Sequence, residues 1–277
     1  MEYNKSEAFF ELVNERESNS GTRNYLKIIL LIPCVLLTFV LVGALSFAII
    51  LPRIKVKEFN KLYNQNIQVS KSEPIALDSS VYLLKKQEAF LKSKLSKSEL
   101  DSISLSINLP DSILSLEIKG VAIYSVKIDN ITLSHIFDCL DRKALVNCFS
   151  SPFIINYQYA TIVKEPIVIK KAPKDTIEYQ NQSAPSIDTL KPKMVAYYFC
   201  LNKNILLDIR QSEKTERLAF FKYSYNYNYW WTMRQLRELF HLRLPDYLPR
   251  IQIEINCKDA LAIYRALPEK AIISIHL

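Results

Sequence analysis

The sequence predicts an α+β protein in which one N-terminal transmembrane helix precedes a mainly antiparallel β domain carrying a few helices. Three observations lead there. Residues 28–51, IILLIPCVLLTFVLVGALSFAIIL, are 24 consecutive residues without a charge, and about 20 apolar residues suffice for a helix to cross the hydrocarbon core. From Asp101 onward, short apolar runs at period two are separated by turn residues, the pattern of half-buried strands. Other stretches keep the wider spacing of helices that pack on one face.

Composition narrows the chemistry. The chain of 277 residues has three glycines, Gly21, Gly43 and Gly120, where average usage would supply roughly 19. Loops that cradle phosphate need closely spaced glycines, so that backbone N–H groups can approach the anion. Dinucleotide fingerprints and P-loops are therefore excluded. A hydrophobic fraction of 49% suits one or two globular domains rather than a disordered chain. The formal net charge is +8, and residues 52–277 hold 32 basic against 23 acidic residues, or +9. Lysines are spread in ones and twos, with no dense arginine run. We expect no nucleic-acid partner; attraction to an anionic surface suits this pattern better.

Residues 1–27 form a polar tail with four basic and five acidic residues. The apolar run after it exceeds a signal-peptide core and is followed by no small-x-small cleavage site, so it reads as an anchor that is retained. Pro33 lies near its start, where a missing intrahelical bond costs least. Lys5, Arg16, Arg23 and Lys27 on one flank balance Arg53, Lys55, Lys57 and Lys61 on the other. A short tail before a single anchor favours a cytoplasmic N-terminus and an exported C-terminal domain.

Residues 52–100 read as a stalk and a helix. Val56, Phe59 and Tyr63 make a partial helical stripe, ended by polar residues and Pro74. Leu77, Val81, Leu84, Leu91 and Leu95, with Glu88 as a fault, predict a helix from about Ser79 to Ser98, with Asp78, Ser79 and Ser80 offering caps. Its leucine seam is expected to pack against the chain's own domain; a homodimer through residues 77–95 is the alternative use.

Residues 101–277 form the β-rich domain. Ile103 to Leu109, Ile113 to Ile118 and Val121 to Ile128, separated by Pro110-Asp111 and Lys119-Gly120, make an antiparallel meander. Leu133 to Leu145 reads as a short helix or irregular connection, and Phe153 to Val163 and Pro166 to Ile169 return to strand character. Residues 171–193, with three prolines, form a loop or linker. Val195 to Cys200 and Ile205 to Ile209 make a hairpin about Asn202-Lys203-Asn204. The aromatic stretch Tyr223 to Trp231 alternates like a strand before passing into a helix over Thr232 to Leu242. Ile251, Ile253 and Ile255 form a strand, Lys258 to Leu267 a helix, and Ala271 to Leu277 a closing strand.

The five cysteines, Cys34, Cys139, Cys148, Cys200 and Cys257, show no C-x-x-C pair and no histidine at ligand spacing, so we expect no metal and no cofactor. Buried free thiols suit most of them, and Cys139 with Cys148 could be bridged in an exported domain. Asp138, Asp141 and Glu165 read as solvated charges. Tyr225, Tyr227, Tyr229, Trp230, Trp231, Arg234 and Arg237 form the candidate binding face, because aromatic rings beside arginines can stack on sugar or peptide. Core packing is the commoner use of such a cluster.

Two segments together resemble a known family. The meander SISLSINLPDSILSLEIKGVAIYSVKI is similar to the opening of the L,D-transpeptidase (YkuD-type) catalytic domain. The end INCKDALAIYRALPEKAIISIHL, with Asp259, Ala260, Ile263, Tyr264, Ile273 and Ile275, resembles that family's last helix and strand. The resemblance implies an L,D-transpeptidase-like β-core in a single-pass bacterial envelope protein, with the domain in the periplasm and the anchor in the inner membrane. The family uses a cysteine beside histidine and glycine, a thiolate activated by a neighbouring base with free N–H groups for an oxyanion hole. The interval from Asp259 puts Gln252 at that nucleophile position, and no glycine follows Gly120. The resemblance therefore implies a degenerate, non-catalytic domain that binds or scaffolds, with peptidoglycan or envelope proteins as partners. The alternatives are a structural subunit of a secretion, conjugation or cell-division machine with an unrelated fold and, third, an active transpeptidase.

Overall fold

A computed structural model describes residues 31, 35, 38, 42–43, 46–47, 49–64, 79–164, 194–241 and 243–277. Leu77, Asp78, Glu165, the run Pro166 to Ile169, the linker 171–193 and Cys34 lie outside the described residues. The chain divides into two compact units, residues 1–53 and 54–277.

In the first unit, Thr38 Oγ1 donates to Val35 O at 2.7 Å and Ser46 Oγ to Val42 O at 2.8 Å. Such bonds to the preceding turn satisfy a hydroxyl within an apolar helix. Among the described residues no helix is long and apolar enough to cross a membrane; most of 28–51 lies outside them.

The second unit is α+β. Its helices are the part of α1 that lies in this unit (residues 54–64), α2 (Ser79–Ser98), α3 (Ile136–Cys139), α4 (Arg142–Phe149), α5 (Arg217–Phe240) and α6 (Cys257–Ala266). Its strands are β1 (Ser104–Asn108), β2 (Ile113–Ile118), β3 (Val121–Lys127), β4 (Asn130–Leu133), β5 (Phe153–Ala160), β6 (Ala196–Leu201), β7 (Leu206–Gln211), β8 (Arg250–Ile255) and β9 (Ile272–His276). They form a nine-stranded sheet in the order β3-β2-β1-β9-β5-β6-β7-β8-β4. Pairing is antiparallel except between β1 and β9 and between β7 and β8.

That order imposes a shape on the sheet. β3 and β4 lie at its opposite ends, yet only Ile128 and Asp129 separate them in the chain. A link of that length reaches about 11 Å at most, so the sheet curls until its ends approach. Ile128 N–H donates to Ser112 O beside β2 and Asp129 N–H to Glu254 O of β8, both at 2.8 Å. The inward faces then share one core: Leu105, Leu114, Phe153, Phe199, Ile209, Ile253 and Ile275 all belong to it. α3, α4 and α6 add Phe137, Phe149 and Ile263 to the same core. Phe59 of α1 is buried there too, with Val56 and Tyr63 packed against it, so residues read as part of a stalk belong to the domain surface.

With few glycines, left-handed turn positions fall to other residues. Ser112 has φ 54°, Asn204 55°, Lys119 50° and Gly120 79°. The adjacent pair Lys119-Gly120 suits a two-residue hairpin, whose favoured turn needs positive φ at both positions. A Cβ on Gly120 would also come within 3.2 Å of Ser98 Cβ.

α2 spans the residues its spacing predicts but turns the opposite face inward. Ala89, Phe90, Ser93 and Lys97 are buried, whereas Val81, Leu84, Leu91 and Leu95 are exposed, so the expected packing of the leucine seam on its own domain is corrected. The reason is the polar layer beneath. Ser104, Ser106, Ser115, Glu117 and Ser274, outward residues of alternating strands, are buried under the helix. They need donors and acceptors rather than leucines. Ser93 Oγ and Ser274 Oγ lie 2.7 Å apart, and Lys97 Nζ donates to Leu105 O at 3.0 Å. The Glu117 carboxylate accepts from Lys94 at 2.7 Å and Lys97 at 3.5 Å.

Burial lowers the Lys97 pKa to about 8, against partial support from Glu117. Between that value and the ordinary lysine value, the unfolded chain holds a proton that the folded chain lacks, so stability rises with pH. We predict that, between pH 8 and pH 10, the urea unfolding free energy changes with a more positive slope in the parent than in Lys97→Met, because Lys97 opposes the destabilising titration of the buried thiols. Over that range the two proteins should diverge by a difference on the order of 2 kcal/mol. Equal slopes in the two proteins would remove Lys97 as its source.

Candidate functional site

The candidate binding residues all fall on α5, a single helix from Arg217 to Phe240. The strand-like alternation of Tyr223, Tyr225, Tyr227 and Tyr229 is thus corrected to helix. β5 through β8 already have partners on both sides, which leaves no edge among them for a further strand. As a helix, the aromatic residues separate onto two faces.

One face meets the outer side of β5 to β8. Tyr223 is buried, and Tyr227, Trp230 and Trp231 pack with it on Met194, Ala196, Tyr198 and Leu206. Trp230 stacks on Tyr157, ring centroids 5.7 Å apart at 3°, and lies 5.5 Å from Tyr198. Tyr227 meets Tyr198 edge-on at 5.6 Å. Offset and edge-on contacts of this kind add to the burial of the rings themselves.

Beneath α5 sits a fully buried charge. Asp208, on the outward side of β7, accepts from Tyr223 Oη at 2.6 Å, from Arg210 Nε at 2.9 Å and from Arg250 Nη2. A buried carboxylate requires such charge-assisted partners. The two guanidiniums also lie over aromatic faces, Arg210 5.2 Å from Tyr223 and Arg250 4.9 Å from Tyr227. Burial, reinforced by Asp208, pushes the Tyr223 phenol far above its ordinary range. The Leu-Leu-Asp-Ile-Arg segment carries the one available signal for this cluster, an acid set within an apolar strand.

The other face of α5 is exposed. Leu218, Phe221, Tyr225, Tyr229, Met233, Leu236 and Phe240 follow one another at spacings of three and four, all on the solvent side. Tyr225 and Tyr229 stack on each other at 6.2 Å and 18°. Of the seven candidate residues, Tyr227, Trp230, Trp231 and Arg234 are therefore half-buried on the inner side, and Tyr225, Tyr229 and Arg237 are exposed. Arg234 lies 5.7 Å from Trp230 and 3.6 Å from Asp246. A cleft of about 550 Å³ opens beside the start of α5, lined by Tyr159, Met194, Leu218, Ala219 and Lys222. A second groove, of about 530 Å³, runs between Leu91 and Leu95 of α2 and Val121 of β3.

Gln252 sits within β8, paired with Asp208 on one side and Thr132 on the other. Its amide donates to Glu254 at 3.1 Å. Cys257 opens α6, its N–H donating to both carboxylate oxygens of Glu213 at 2.9 Å. Burial and Glu213 raise its thiol pKa, the reverse of what an activated nucleophile needs. Burial likewise raises the Cys148 and Cys200 thiols to about 11. All four described cysteines are free, with Cys139 exposed. Each histidine has a partner other than a thiol: His135 with Asp138, His241 with Arg237 O and His276 with Asn108. Asp138 and Asp141 are exposed. Among the described residues no group of three His, Cys, Asp or Glu could hold a metal ion.

No family model, curated protein or solved structure matches the chain.

The two faces of α5 predict opposite responses to truncation. Trp230→Ala should lower stability by about 2 kcal/mol or more by opening the aromatic layer. Asp208→Ala should cost about 3–5 kcal/mol, because two arginines and a tyrosine lose their acceptor. Tyr225→Ala and Tyr229→Ala should stay within about 0.5 kcal/mol of the parent. Urea unfolding of the four variants tests the assignment; a large loss at Tyr225 would place that side chain in the fold rather than on a surface.

Proposed function

We propose that the chain is a single-pass bacterial envelope protein, held by residues 28–51 in the inner membrane with its domain in the periplasm. It works without catalysis, as a scaffold that docks an envelope protein. The observation that carries this reading is the exposed stripe of α5 from Leu218 to Met233. Sixteen residues of helix extend about 24 Å, and a continuous apolar stripe of that length is what a monomer normally keeps covered. Its tyrosines, phenylalanines and methionine are the residue types enriched where proteins bind one another.

A protein partner suits the face better than peptidoglycan, because Trp230 and Trp231, the stronger sugar-stacking rings, are turned toward the sheet. The parallel pairing of β1 with β9, Leu105 opposite Ile273, joins the two segments that resemble the transpeptidase and supports a degenerate version of that β-core. Gln252 at the nucleophile position and the raised Cys257 thiol support the loss of its chemistry. A second reading, a machine subunit that self-associates through residues 77–95, is favoured by the exposure of Leu84, Leu91 and Leu95 beside Val121 and Ile123.

A photo-crosslinking residue at Tyr225 in growing cells should give a protein adduct of discrete mass. Phe221→Glu combined with Tyr229→Glu should abolish it without changing the melting temperature. A muramidase-sensitive adduct would replace the protein partner with peptidoglycan, and a dimer-sized adduct formed from Leu91 instead would select the self-associating subunit. Turnover of a peptidoglycan tetrapeptide that is lost in Cys257→Ala would overturn the non-catalytic reading.

A further inference from the structure

We propose that the last two turns of α5 and the segment after it rest on the headgroup region of an anionic bilayer, a second membrane contact beside the anchor. The proposal rests on reading residues 28–51 as the membrane span. Lys55 lies four residues beyond Leu51, the end of the uncharged run, and four residues reach at most about 14 Å. Lys55 is 3% exposed, and its Nζ donates to Asp246 Oδ1 at 2.8 Å. Asp246 in turn holds α5: its backbone O accepts from Gln235 Nε2 at 3.1 Å, and its Oδ2 faces Arg234 at 3.6 Å. The end of α5 is thereby tied, through Asp246, to Lys55.

At that end, apolar side chains face outward where a solvated helix would place polar ones. Leu236 is 39% exposed, Phe240 84% and Leu244 62%. Arg237 and Arg243 are exposed beside them, with no ion pair among the described residues. Of the acidic neighbours, Asp246 is held by Lys55 and Arg234, Glu58 lies 3.1 Å from Lys55, and Glu238 is half-buried. Large apolar residues flanked by arginines are the composition of segments that lie in the interface plane, where rings and leucines enter the acyl boundary and guanidiniums meet phosphate. A second copy on this patch would set one arginine-bearing surface against another, whereas an anionic bilayer complements it.

The full chain, reconstituted in bilayer discs, tests the idea with an environment-sensitive fluorescent amino acid placed at Phe240 or, separately, at Val42. Lipids brominated near the headgroup should quench the label at position 240 in discs containing phosphatidylglycerol. Quenching should fall in discs of phosphatidylcholine alone and in Arg237→Gln/Arg243→Gln. Lipids brominated deep in the chains should quench position 42. Quenching at 42 without quenching at 240 overturns the second contact and leaves the anchor standing; no quenching at 42 overturns the anchor itself. Equal quenching at 240 in both kinds of disc overturns the anionic preference, and emission at 240 that depends on protein concentration but not on bromolipid assigns the patch to a second copy.

Discussion

The two-residue link between β3 and β4 governs the domain. Strands joined by Ile128 and Asp129 cannot stand at opposite ends of a flat nine-stranded sheet, so the sheet curls until its ends approach and its inward faces share one core. A sheet that curls in this way buries one face unaided and leaves the other to be covered by helices. α2 and α5 supply that cover over different strands, and their placement decides which side chains the molecule presents outward.

The two covering helices use polar chemistry to hold their positions. α2 lies on serines and the Lys94–Glu117–Lys97 group, and α5 is fixed through Tyr223 to Asp208 and its two arginines. Buried charges of this kind contribute little net stability over apolar packing, but a misplaced helix would leave them unpaired. They therefore act on registration. The consequence is that much of the apolar surface of each helix faces away from the domain: Leu84, Leu91 and Leu95 on α2, and the stripe from Leu218 to Phe240 on α5.

Among the described thiols, burial raises the pKa values of Cys148, Cys200 and Cys257, and each of the three histidines has a partner other than a thiol. The domain presents exposed apolar surface of two sorts, a long aromatic stripe and, at the end of α5, a shorter arginine-flanked patch, which we propose meet a protein and lipid respectively. In the proposed reading, division of one helix face between two partners would give the domain a defined orientation at a membrane.

Local pattern was enough for most elements. The Ser79–Ser98 helix, the meander about Pro110-Asp111 and Lys119-Gly120, the hairpin at Asn202 to Asn204 and the closing helix and strand are all legible, because side-chain period and turn chemistry act within a few residues. β4 was not, since Asn130–Leu133 is four residues long and exists by pairing with β8. Nor was the direction of either covering helix. Leucine spacing identified α2 as amphipathic, but Lys97 and Ser93 face inward because Glu117 and Ser274 wait beneath them. Alternation in Tyr223 to Trp231 suggested a strand, and the helix prevails because the neighbouring strands already have partners while Asp208 needs the Tyr223 hydroxyl. Sequence alone determined which segments fold and which catalytic motifs are missing. Tertiary structure decided which face of each segment remains outside, because that choice rests on partners distant in the chain.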